Sequence, residues 1–257
     1  MAEAVVLPLE TLRWAPSERP YLVSIRTAAS IPTWIDYAKP RTWDLLLNYY
    51  EPPATIDSRC EMVTLGGITK FPAIWETNRL HEDFLRHYDA ALFLDDDIAV
   101  RFDEVDTLFS LFQEFGLMLA QPSLTPQSYS SWPITLRSPS FRLRFTNFVE
   151  VMAPIFSRTA LAQCLETFPL SKSGWGLDLV WPVLLGNPRD KIAIIDEITM
   201  THTRPVDPKE GAFYEYLRGL GVDPYSEFRE LGNAYEIGPG FEPQTFGTVP
   251  ATTDPKR

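Results

Sequence analysis

Ala90-Ala91-Leu92-Phe93-Leu94-Asp95-Asp96-Asp97-Ile98 carries an apolar run straight into three consecutive carboxylates. A short apolar run bounded by polar segments reads as a strand buried on both faces. At its carboxyl end the chain must leave the interior, because three adjacent anions cannot be desolvated together without counter-charge. Side chains alternate along a strand, so Asp95 and Asp97 are expected on one side and Asp96 on the other. Two carboxylates at a strand end offer hard oxygen donors to a divalent cation such as Mg2+ or Mn2+. In open α/β sheets, ligands gather at the carboxyl ends of strands. The competing reading is an acidic helix start, with aspartate at the cap and anions favoured at the amino end.

On both sides of this stretch apolar strands alternate with helical patterns. Tyr21–Thr27 and Trp43–Tyr50 read as strands, the second stopped by Glu51-Pro52-Pro53, and Glu61–Leu65 as a third. Ile31–Ala38 reads as a short helix with Pro32 in its first turn. Lys70–Tyr88 and Val105–Leu119 carry apolar residues at helical spacing. Strand–helix alternation predicts an α/β fold with a mostly parallel sheet flanked by helices. Further on, the four prolines of Gln121–Pro139 predict a long loop or short edge strands. Ser157–Phe168 and Leu179–Leu185 read as helices and Lys191–Ile195 as a strand. Phe213–Leu220 and Tyr225–Leu231 read as short helices, and from Gly238 the chain reads as a tail. The expected organisation is a lead-in over 1–20, one main domain over 21–207, and a helical extension with a flexible tail over 208–257.

The 257 residues suffice for a real core, and 45% hydrophobic with 22% charged residues is ordinary for a globular protein. A net charge of -11 argues against non-specific nucleic-acid binding, which needs a basic face. The two cysteines, Cys60 and Cys164, form neither a disulfide framework nor a zinc motif, so a cytoplasmic, reducing setting is expected. Met1–Leu12 lacks the pattern of a signal peptide, and no stretch approaches the length of a membrane span.

Two further stretches carry chemistry. In Gly174-Trp175-Gly176-Leu177-Asp178, two glycines permit unusual backbone angles and close approach of a ligand. Trp175 offers a flat face to a sugar ring, and Asp178 opens the next helix as either a cap or a general base. In Thr199-Met200-Thr201-His202-Thr203-Arg204-Pro205, His202 suits a place beside carboxylate oxygens on a metal. His81 and His87 fall on a helix expected to be solvated.

The Asp-x-Asp at a strand end, the Gly-Trp-Gly-Leu-Asp turn and the late Met-x-His together resemble the GT-A fold of nucleotide-sugar glycosyltransferases. More closely, the chain resembles a family of GT-A-like domains of unknown function in plants and bacteria. The segments that carry this are Thr77–His81, Phe93–Asp97, Gln121–Leu124, Phe148–Arg158, Trp175–Asp178 and Ile194–Asp196 with His202, roughly half the chain. The resemblance implies a metal-dependent, inverting glycosyltransferase using Mn2+ or Mg2+, a UDP-sugar donor and a glycan or other hydroxyl acceptor. It implies that Asp97 and His202 bind the metal with Asp95 near the metal and ribose. It implies that Arg26 and Thr27 lie near the base, and that Lys70 offsets diphosphate charge. Glu150, Trp175 and Gly176 would line the sugar site, and Asp178 would be the base. Leu177 and Leu179 flank Asp178, where many inverting members carry a further acidic residue. Two other classes stay open: a carbohydrate- or nucleotide-binding protein without turnover, and a metal-dependent hydrolase or nucleotidyltransferase using the same carboxylates.

Overall fold

The computed structural model describes residues 5–252; residues 1–4 of the expected lead-in and 253–257 of the expected tail lie outside it. The first half builds β1 (Glu10–Trp14), β2 (Tyr21–Thr27), β3 (Trp43–Tyr49), β4 (Met62–Leu65), α1 (Lys70–Leu80), β5 (Ala90–Asp95), β6 (Ile98–Ala99) and α2 (Phe102–Glu114). The second half adds β7 (Leu119–Leu124), β8 (Phe141–Thr146), β9 (Ile155–Ser157), α3 (Arg158–Cys164), α4 (Leu177–Leu184), β10 (Ile192–His202), α5 (Ala212–Gly219), α6 (Pro224–Ala234) and β11 (Thr245–Pro250).

All strands join one sheet in the order β1-β4-β3-β2-β5-β9-β7-β10-β8-β11, with β6 paired to β10. The block β4-β3-β2-β5 is parallel, and β7 runs parallel to β10. The short β9 wedges antiparallel between β5 and β7, and β8, β11 and β1 add antiparallel edges. The sheet is therefore mixed, and its parallel block holds the Asp-rich strand well inside. Helices cover both faces, so β5 divides its side chains between two cores. Ala90, Leu92 and Leu94 pack with Phe102, Val105, Leu108 and Phe109 of α2. Ala91 and Phe93 pack with Phe71, Phe156, Phe168 and Trp181 on the other face. Each such buried aromatic contributes roughly 1.5–3 kcal/mol by leaving water, and the edge-to-face contact of Phe156 on Trp181, at 4.9 Å between centroids, adds specific geometry.

Several elements differ from the sequence expectation. Ile31–Ala38 forms turns rather than a helix, because its apolar side chains pack inward beside Trp43 without helical hydrogen bonds to hold them. Lys70–Tyr88 is interrupted after Leu80: Glu82 and Asp83 adopt positive φ, and only a 3-10 turn, Phe84–His87, follows. Gln121 is not in a loop but in β7, a central strand. Pro122 is tolerated there because β9 pairs only with Leu119 and Ala120, and β10 is irregular just past the Pro122–Ile195 pair. β10 continues through a bulge to His202, so the Thr199–His202 motif lies inside the strand rather than after it. Both ends of the described chain are strands. β1 is anchored by β4, and Ser17 donates from its backbone N–H and its hydroxyl to the fully buried Asp44. β11 covers the open edge of β8. No helix among the described residues is long and apolar enough to cross a membrane.

Candidate functional site

The site is built where β5 ends. The strand stops at Asp95, whose N–H donates to the carbonyl of Met152, and the chain turns through Asp96 and Asp97 into β6. Strand alternation therefore does not govern the three aspartates; the turn distributes them. Asp95 accepts from Lys70 Nζ at 2.7 Å. Asp96 accepts from the hydroxyl of Tyr50 and from Arg204. Asp97 accepts from Arg204 Nε at 3.0 Å and faces His202 Nε2 at 3.2 Å. The antiparallel pairs Ile98–His202 and Ala99–Thr201, and the N–H of Thr203 on the carbonyl of Asp97, bring the late strand back onto the turn.

The electrostatics follow from this geometry. Burial pushes Asp95 up, opposed by Lys70 and reinforced by Asp97. Burial also pushes Asp97 up, but His202 and Arg204 outweigh it and hold the carboxyl below its ordinary value. Burial draws His202 down, and its partner Asp97 more than reverses this, leaving the imidazole raised. The other ring nitrogen of His202, Nδ1, lies 2.7 Å from the carbonyl of Tyr129. That carbonyl can only accept, so Nδ1 carries a proton, and Nε2 donates to Asp97 only when the ring carries its second proton. A ring held in this way by a carbonyl is the usual posture of a metal-ligating histidine.

Whether these residues fit a divalent cation can be tested on the atoms themselves. Asp97 Oδ1 is buried and has no hydrogen-bond partner, which leaves a strong oxygen donor beside an oriented imidazole. Asp95, however, is engaged with Lys70, and among the described residues no three His, Cys, Asp or Glu side chains close on a common point. The pair Asp97–His202 thus fits a cation whose other positions are filled by substrate oxygens and water, as is usual for Mg2+ on phosphates, and not a closed protein cage.

Behind the turn lie two buried carboxyl groups. Glu150 is 5% exposed, its N–H donates to Gln121 Oε1 at 2.5 Å, and its Oε2 has no partner. Burial raises it to about 8, with the charges of Asp178 and Asp95 adding and those of His202 and Lys70 opposing, which places it against the same cluster. Asp178, also 5% exposed, lies in the first turn of α4 and accepts the N–H of Leu179 at 3.1 Å. Burial raises it to about 7; the backbone N–H groups of Leu179, Gly176 and Asp178 oppose this without cancelling it. The helix amino end alone would keep Asp178 ionised, so burial decides here.

The helix cap is Gly176, not Asp178. Gly176 has φ +90° and faces α6 so closely that a Cβ would meet Leu231 Cβ at 3.2 Å and Phe228 Cα at 3.3 Å. The close approach that this glycine permits is made by a helix rather than a ligand. Trp175 is half-buried with the edges of Tyr225 and Tyr214 against it, at 5.1 and 6.1 Å. Tyr214, from α5, is pushed up to about 12 by burial, with the charges of Asp95 and Glu150 adding.

The remaining expected site residues are committed to the protein. Lys70 Nζ also donates to the carbonyl of Val151. Arg26 donates to Asn48 and to the carbonyls of Gly66, Gly67 and Ile68, and burial lowers it to about 10. The hydroxyl of Thr27 donates to the carbonyl of Ser30. His81 is only half-exposed, stacking on Trp14 at 3.3 Å and bonding Thr11, while His87 is exposed. Asp196 forms a buried two-pronged pair with Arg144. Tyr50 and Tyr214 carry no signal in the sequence, whereas Gln121 lies in one of the segments that carry the resemblance and Arg204 stands two residues past His202. Two surface hollows, of about 400 Å³ beside Leu170 and α6 and about 290 Å³ beside Ser30 and Tyr49, do not include the carboxylates. The chemistry, not the depth of a hollow, marks the site.

The overall fold is similar to that of GalNAc-T7, solved with UDP, GalNAc and Mn2+: TM-score 0.53 at 9% identity, over 84% of this chain and 54% of that one. The chain thus spans about half the length of that structure. TarS of S. aureus, solved with UDP, is similar at TM-score 0.46 and 11% identity, over 85% of this chain and 72% of that one. No curated protein sequence matches the chain. At these identities the likeness speaks to the fold, which is GT-A-like. Residues 67–211 match the family model described as a protein of unknown function, DUF707. That span holds Lys70, the Asp95–Asp97 turn, Glu150, Asp178 and His202, and the chain belongs to this family.

Proposed function

We propose that the chain is a metal-dependent glycosyltransferase that moves a sugar from a nucleotide-sugar donor, a UDP-sugar, to a hydroxyl of a glycan or other acceptor with inversion. What supports this reading is the contact of Asp97 with His202 at the turn after β5 of a GT-A-like sheet, together with two buried carboxyls, Glu150 and Asp178, whose charges act on one another. In this reading Asp97 and His202 hold Mn2+ or Mg2+, with Asp95 beside them. When bound, the cation would act as a Lewis acid on the departing diphosphate. Lys70 keeps Asp95 oriented and moderates its charge. Asp178, with a proton affinity near neutrality, takes the proton of the acceptor hydroxyl, as suits a base working near its own pKa. Glu150 and Trp175 line the sugar, while Tyr214 and the segment around Tyr129 exclude water that would hydrolyse the donor. Residues 21–207 form the catalytic domain in this reading. Its setting is cytoplasmic, in keeping with two buried free thiols.

Asp178→Asn tests the assignment. The variant is expected to keep its melting temperature and its Mn2+-dependent stabilisation by UDP, while sugar transfer falls by a factor of about 100 to 10,000. Lost donor affinity with turnover nearly intact would make Asp178 a donor-positioning group and move the base to Glu150. Unfolding would reduce it to a helix-start residue. Absence of transfer by the wild type across a panel of UDP-sugars and acceptors would favour a binding protein.

A further inference from the structure

The carboxylates of the Asp95–Asp97 turn already have counter-ions drawn from the protein. Two cations serve them, and they differ in freedom. Lys70 is buried and shared between Asp95 and backbone carbonyls, so it is fixed in place. The Arg204 side chain is 56% exposed, lies two residues beyond the end of β10, and among the described residues its guanidinium bonds only Asp96 and Asp97. It bridges the two carboxylates. The carboxylate it shares with His202 is also the one that keeps a buried, unpartnered oxygen.

A divalent cation entering at Asp97 Oδ1 meets this guanidinium on the same carboxylate. Like charges at such separations repel strongly where water is partly excluded. Asp96, Asp97 and a divalent cation balance once Arg204 withdraws, and the freed guanidinium then needs an anion of its own. A diphosphate supplies that anion, and a guanidinium fork matches phosphate oxygens two at a time. Arg204 has the length and exposure to turn from the aspartates toward such a ligand without moving β10.

We propose that Arg204 is the resident counter-ion of the Asp96–Asp97 pair, that a divalent cation must displace it, and that the displaced guanidinium then takes the diphosphate of the nucleotide. This rests on the metal-dependent reading above and adds to it an antagonism between Arg204 and the metal. Metal and nucleotide then bind weakly alone and tightly together, and the coupling is reciprocal.

The test is Mn2+ binding to the full chain by calorimetry and electron paramagnetic resonance, with and without UDP, for wild type, Arg204→Gln and Arg204→Lys. Arg204→Gln is expected to bind Mn2+ alone more tightly, by about 5- to 150-fold, and to show a smaller enhancement of Mn2+ affinity by UDP. Arg204→Lys, which keeps the charge but not the fork, is expected to keep the weak Mn2+ affinity of the wild type. Its UDP affinity in the presence of Mn2+ should fall. Melting temperatures near that of the wild type would show that the exposed position does not govern folding. Equal Mn2+ affinity of wild type and Arg204→Gln without nucleotide would overturn the antagonism and leave the metal reading intact. No Mn2+ binding by either protein, with or without UDP, would overturn both.

Discussion

Glu150 shows how much one side chain can set by its surroundings. It is a buried carboxyl with one oxygen unpartnered and a value raised to about 8 from 4.5. The native state therefore holds a proton that the unfolded chain has already released, so stability falls as pH rises between about 4.5 and about 8 and levels off above. Glu150→Gln removes this dependence. The variant should match the wild type in mild acid and exceed it by an amount on the order of a few kcal/mol above pH 8. Denaturant unfolding at several pH values checks this, and a difference that does not change with pH would contradict it. In the sequence Glu150 stands out as a polar residue embedded in the apolar run Phe145–Phe156. It gives no hint that Gln121, 29 positions earlier in the chain, holds its backbone, because that contact depends on β7 and β9 being neighbours.

At the level of elements, α6 acts as a clamp on the turn before Asp178. Glu227 accepts from the hydroxyls of Ser171 and Ser173 and from the N–H groups of Lys172 and Ser173, at 3.0, 2.5, 2.9 and 2.8 Å. These hold the chain that leads into Gly174-Trp175-Gly176, and Leu231 of α6 packs on Gly176 from the other side. A carboxylate serving several donors at once is worth more than a lone exposed pair. Glu227→Ala is expected to lower stability by about 2 kcal/mol and to lower transfer more than the loss of folded protein explains. Thermal melting alongside activity per folded molecule tests this. Activity per folded molecule equal to wild type would mean that the turn holds its shape without the clamp. The turn itself was readable from two glycines around a tryptophan. The clamp was not, since Glu227 reads in sequence as an ordinary solvated helix residue.

Across the whole molecule, burial is uneven. β3 is buried along its entire length and β2 nearly so, whereas α5 buries only Leu217 fully and α6 only Pro224, Leu231 and Gly232. Local opening follows buried apolar contact. Amide exchange is therefore expected to be slowest in β2, β3 and β5 and faster by orders of magnitude in α5 and α6. Exchange of α5 and α6 should slow when UDP and Mn2+ are added together, because Tyr214 feels the charges of Asp95 and Glu150 and packs on Trp175. Equal protection of the helices and the central strands in the free protein would mean that the carboxyl-terminal helices belong to the core.

Local and periodic features are legible in the sequence alone. The ends of β2 and β5, the parallel block, the amphipathic α2 and the three chemistry-bearing stretches follow from apolar runs, 3.6-residue spacing and clustered carboxylates, which need no distant partner to be recognised. Tertiary structure decided the rest. It placed β7 in the sheet centre despite Pro122, because the neighbouring strands stop asking for an N–H there. It turned Glu10–Trp14 and Thr245–Pro250 into edge strands, because a sheet edge was open to them. It turned Asp96 aside to Tyr50 and Arg204, tied Asp95 to Lys70, and raised Asp178 and Glu150 by burial. Charge state and partner choice depend on what lies across space, and residues more than a hundred positions apart, such as Asp97 and His202, meet only once the sheet has formed.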